Sequence, residues 1–129
     1  MKKLFVTVLV ATALVSGCAS ASKFYVKADT AVVADLSKFK AEKDTRCDAD
    51  QIPASACQAV SKAFVPVWDA YLAVNKLVTS EAPIEQVDAA VADLRKAAVD
   101  LQDALKNVQG NARTILEDLL VKALSRYNR

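Results

Sequence analysis

The chain has 129 residues, 53% of them hydrophobic and 25% charged, with 17 basic and 15 acidic side chains for a formal net charge of +2. That is one domain's worth of chain, able to bury roughly 60 to 70% of its unfolded surface. The mixed, near-neutral charge carries neither a nucleic-acid footprint nor a polybasic block for an anionic membrane. Histidine is absent and glycine occurs twice, which removes the commonest acid–base group and any glycine-rich phosphate loop.

The chain opens on Met1, Lys2 and Lys3, followed by the uncharged apolar run Leu4–Val15 and the small residues Ser16 and Gly17. A basic start, a short apolar stretch and small residues at its exit are the parts of a secretory signal peptide. The run falls short of the ~18 to 20 apolar residues of a transmembrane helix. Its end, Val15-Ser16-Gly17-Cys18, resembles the lipobox of bacterial lipoproteins. The resemblance implies cleavage before Cys18, diacylation of the Cys18 thiol with palmitate-type chains, and acylation of the new amino group. Each buried CH₂ adds about 0.8 kcal/mol, and two or more chains anchor a protein stably. Because Ala19 and not an aspartate follows the cysteine, the resemblance also implies the periplasmic face of the outer membrane in a Gram-negative host. On this reading residues 1–17 are the signal peptide, 18–27 are the lipidated cysteine and a short tether, and 28–129 are a helical domain. Extended, the nine tether residues from Ala19 reach at most ~30 Å. With Lys2 and Lys3 removed, fifteen basic and fifteen acidic side chains remain.

Beyond the tether the apolar residues recur at helical spacing. Ala28, Val32, Leu36 and Phe39 predict a first helix. The polar connection after it holds Cys47, and Cys57 opens the next apolar stripe. An even pair of cysteines in a chain bound for an oxidising compartment predicts a disulfide. Closing that eleven-residue ring is worth about 2.8 kcal/mol in the loop-entropy picture. Within the same connection, Asp48 to Gln51 faintly match the start of a calcium loop but lack its central glycine and closing glutamate.

The second helix carries Cys57, Val60, Phe64, Val67, Tyr71, Val74 and Val78, and Pro66 inside it predicts a kink or break against the carbonyl of Lys62. Val65, Trp68 and Leu72 form a second apolar stripe off the main face. They are either a partner or ligand surface or a second packing face of a central helix, and the packing reading is preferred. The third helix opens at Pro83 and carries Ile84, Val87, Val91, Leu94, Ala98, Leu101, Leu105 and Val108. Gly110 supplies its stop, and Asn111 is placed to cap the last helix. That helix carries Leu116, Leu119, Leu120, Ala123, Leu124 and Tyr127, with Lys122, Arg126 and Arg129 complementing its C-terminal dipole.

These stripes predict an all-α, up-down bundle of four helices, or alternatively three helices and a helical extension, since the turn at Gly110 is tight. The carboxylates Asp88, Asp93, Asp100 and Asp103 fall on the polar side of a complete amphipathic helix and read as solvating charges. No nucleophile elbow is present, so no catalytic residue, cofactor or metal site is expected. The expectation is a non-enzymatic envelope lipoprotein that binds another envelope protein in a structural or accessory role. The alternatives are a periplasmic carrier of a small apolar ligand and a phage- or element-encoded lipoprotein that blocks a receptor.

Overall fold

The structure, a computed structural model, describes residues 22–128 with their side chains and gives only the helical backbone assignment for 2–21. Cys18 and the expected cleavage point lie outside the residues so described. Four helices follow one another: α1 (Lys2–Asp48), α2 (Ala54–Thr79), α3 (Ile84–Leu105) and α4 (Gly110–Ser125). Among the described residues there is no strand, and no helix is long and apolar enough to cross a membrane.

The packing is that of an up-down bundle. α2 lies most extensively against α3, and α1 lies against α4 and α2, while the α3–α4 contact is thinner. The direction of each helix follows from pairs at its ends: Cys47 with Cys57 at one end of the bundle, and Tyr25 with Asp88 and Tyr127 with Asp29 at the other. The four-helix reading therefore holds over the three-helix alternative.

The predicted stripes form the core. Val60, Phe64, Val67, Val74 and Val78 of α2 and Val87, Val91, Leu94, Ala98, Leu101 and Leu105 of α3 are buried, as are Val32, Leu36 and Phe39 of α1. Ala56 takes the deep position at the start of α2, leaving Cys57 partly buried beside it. Val108 is fully buried although it lies past the end of α3. Fully burying one such side chain contributes about 1.5–3 kcal/mol, which is what holds short helices together in water.

Three local expectations are corrected. The described part of the expected tether, Ser22–Lys27, is helical, and Tyr25 within it is buried in the core. Tyr25 is in step with Ala28 and Val32, so the stripe begins one turn earlier than the polar neighbours Ser22, Lys23 and Lys27 suggest. Next, of the kink or break expected at Pro66, the break does not occur, and α2 is one helix through it. Pro66 and Lys62 are both exposed, so the carbonyl that loses its donor lies on the solvent side of the helix. Finally, Asn111 does not cap α4, which starts at Gly110 with Gln109 at the N-cap position and no side-chain cap bond. Gly110 adopts φ +69, and a Cβ there would meet nothing within 4 Å. Its backbone conformation, not lack of space, is what calls for glycine.

The two other turns end their helices in the same way. Gln51 N–H bonds Arg46 C=O at 2.9 Å and Ala82 N–H bonds Leu77 C=O at 2.9 Å, with Asp50 and Glu81 left-handed between them at φ 57 each. This is the Schellman closure usually built on glycine, here built on residues that bear the steric cost of a Cβ. Across the first of these turns the Cys47–Cys57 disulfide closes, its Cα atoms 6.0 Å apart, within the span such a bond requires.

Candidate functional site

The second stripe of α2 faces outward. Val65 is 56% exposed and Leu72 45%, while Trp68 is half-buried and packs on the core from the side. The stripe is divided between the two readings: Trp68 packs on the core, while among the described residues Val65 and Leu72 are left uncovered. Of the other exposed large apolar residues, Val26, Val99 and Val121 stand singly on three different helices. Among the described residues such side chains share a face only on α2, and clustered exposure is the informative kind.

Between α1 and α2 this face opens into a groove of about 550 Å³ lined by Leu36, Lys40, Ala41, Phe64, Val65 and Trp68, with Ser37 and Asp44 at its edge. Two of its lining residues, Phe64 and Trp68, belong to an aromatic row. Phe39 stacks on Phe64 at 5.5 Å, Phe64 on Trp68 at 6.3 Å, and Trp68 tilts against Tyr71 at 5.4 Å. Phe39, Phe64 and Tyr71 are buried, so the indole rests on rings of the core.

The polar edge of the groove is an ion cluster. Lys43, buried, sits 2.6 Å from Asp44 Oδ1 and donates to Ser61 Oγ at 2.8 Å, while Lys40 meets Asp44 Oδ2 at 3.2 Å. The Lys43 hydrogen bond, foremost among the causes, holds the Asp44 carboxyl below its ordinary range. Ser61 and Lys43 bring a hydroxyl and an amine within hydrogen-bond reach. Here the ammonium donates to the hydroxyl and is bound to a carboxylate, so it is not placed to take the serine's proton.

The opposite end of the bundle holds a site that the sequence reading missed. The chain has three tyrosines, and all three converge on it. Tyr127 O–H donates to Asp29 Oδ1 at 2.6 Å, Tyr71 O–H donates to the Asp29 carbonyl at 3.4 Å, and Tyr25 O–H donates to Asp88. The Tyr25 and Tyr127 rings lie 6.2 Å apart. Asp29 is only 4% exposed, and its Oδ2 is buried without a hydrogen-bond partner. Burial therefore pushes the Asp29 carboxyl up, against a smaller opposing pull from the Tyr127 hydrogen bond. Burial also raises the Tyr71 and Tyr127 phenols, helped by the Asp29 charge.

Beside this cluster, Arg126 meets buried Asp35 at 3.2 Å and Arg95 donates to Asn128 at 2.9 Å. Arg126 is thus engaged with α1 as well as lying at the end of α4, where it was expected to serve the helix dipole. Together these bonds tie the end of α4 to α1 and α3, which is a structural task.

Among the expected acidic residues, Asp103 pairs with Lys106 at 3.1 Å and Asp88 receives Tyr25. Among the described residues no group of three or more histidine, cysteine or carboxylate side chains could hold a metal ion. Comparison with known protein families, curated proteins and solved structures finds no match to this chain.

Proposed function

We propose that the protein is a non-enzymatic envelope lipoprotein, anchored through Cys18 to the periplasmic face of a Gram-negative outer membrane, that docks another envelope protein on the α1/α2 face around Trp68. One observation carries the docking reading: the clustered exposure of Val65 and Leu72 about a half-buried tryptophan that rests on rings of the core. An aromatic anchor with an apolar surround is the usual centre of a binding face. The anchoring reading rests on the resemblance of Val15-Ser16-Gly17-Cys18 to a lipobox.

The test is a photoreactive residue at position 68 in intact cells, with positions 99 and 121 as controls on the other exposed faces. A discrete protein adduct from position 68 alone is expected, and equal labelling from all three positions would sink the docking reading. Mass spectrometry of the purified chain checks the anchor, since a mature protein beginning at Cys18 without acyl groups is incompatible with it.

The groove volume of about 550 Å³ also suits a small apolar ligand, which supports a second reading as a carrier. In that case a lipid extract shifts the emission of the chain's single tryptophan and position 68 yields no protein adduct.

A further inference from the structure

We infer that the segment docking in the α1/α2 groove is an amphipathic helix with an apolar facing side and a carboxylate set against Lys40. The inference rests on the reading that this face docks a protein and specifies the shape and charge of what docks.

The shape follows from the α2 wall and the face that continues it. Val65 and Trp68 line the groove, and exposed Leu72 extends the same α2 face one turn past it, seven residues from Val65, a ridge of two turns, or about 10.5 Å. A ridge of this spacing is what a second helix packs into. Both walls of the groove are helices, whose interior backbone donors and acceptors are already used within the helix. An extended segment laid there would find no sheet edge, and its own N–H and C=O groups would lie unpaired against apolar side chains. A helix satisfies those groups internally and presents only side chains.

The charge follows from the ion cluster. One carboxylate, Asp44, serves two ammonium groups, and the closer one, Lys43, is buried and fixed by Ser61. Lys40 has a 62% exposed side chain and is left as the surplus positive charge at the groove's edge. Beyond the stripe on α2, the helical repeat places exposed Lys62 and Asp69, which offset one another. A partner carboxylate near Lys40 would be matched, and a partner lysine there would be repelled.

The test places a photoreactive residue at position 65 or 72 of the full-length anchored chain and maps the adducts by peptide sequencing. A helical partner gives two crosslinked sites in one segment about seven residues apart. Sites about three residues apart would mean an extended partner and overturn the inference while leaving protein docking intact. Sites scattered over different segments overturn it as well. No protein adduct above positions 99 and 121 removes the docking reading itself, and this inference with it.

For the charge, Lys40→Glu lowers adduct yield at both positions by about fivefold. Lys106→Glu, at an equally exposed lysine outside the groove, leaves the yield unchanged. Equal yields from the two variants, each shown by circular dichroism to be folded, overturn the carboxylate requirement.

Discussion

Two regions of the bundle each hold a group in the wrong medium. Along the middle of α2, an apolar stripe lies in water, with charges gathered at the groove edge on its disulfide side. Toward the tyrosines, a carboxylate lies in the core with one oxygen unpartnered. The two misplacements differ in kind. Exposed apolar area forgoes about 25 cal/mol per Å² and recovers it when something covers it. A buried polar group costs stability permanently unless bonded, and here the Tyr127 hydroxyl alone bonds the carboxylate and partly offsets that cost, Tyr71 donating to the Asp29 backbone carbonyl instead. The first region is therefore shaped for something outside the chain, and the second holds the chain to itself.

The largest effect expected on this contrast comes from removing the staple that joins α1 to α2 beyond the groove. Replacing Cys47 and Cys57 together by serine lowers unfolding free energy by about 2.8 kcal/mol, measured by urea denaturation. A loss below half that would mean that the Schellman turn alone fixes the end. At the tyrosine end, Tyr127→Phe leaves both Asp29 oxygens without a hydroxyl and costs about 1–3 kcal/mol. A neutral outcome in the same titration would show that Asp29 finds another partner.

The carboxylates of the two regions respond to pH with opposite sign. Asp29 is raised in the folded state, so its contribution is fully present below its unfolded value, near 3.8, and is lost as pH rises toward the folded value. Asp44 is lowered, so its contribution is present above 3.8 and is lost as pH falls below that. Asp29→Asn consequently gains on the parent as pH rises from 3.8, and Asp44→Asn gains on it as pH falls below 3.8. Parallel stability–pH curves for parent and Asp29→Asn would contradict the buried-carboxylate account. The smallest effect is expected from Val65→Ser with Leu72→Ser. Stability changes by about 0.5 kcal/mol or less while crosslinking from position 68 is lost. A large destabilisation would mean that the stripe is a packing face after all.

How much of this was legible beforehand depends on the residue. The buried faces of α2 and α3 could be read directly, because three-and-four spacing has one structural meaning over two dozen residues. Tyr25 was hidden by the small and charged residues around it, although it keeps step with Ala28. Asp29 was missed because aspartate beside an apolar stripe reads as solvated. A signal for it did exist: Tyr71 and Tyr127 both sit on apolar stripes, and a buried tyrosine hydroxyl needs an acceptor. The spacing of Val65, Trp68 and Leu72 was plain, but its meaning depends on how many neighbours surround α2. That is set by where α3 and α4 pack, which local sequence does not carry.

The absence of a slack tether over Ser22–Lys27 has one further consequence. From Ser22 to Lys40 the chain is a single helix, so the groove stands about 27 Å along the axis from Ser22. A rod sets both height and heading, whereas a loose cord sets only a maximum reach. Whatever grips the chain just before Ser22 therefore also fixes the level and the compass direction at which Trp68 is presented.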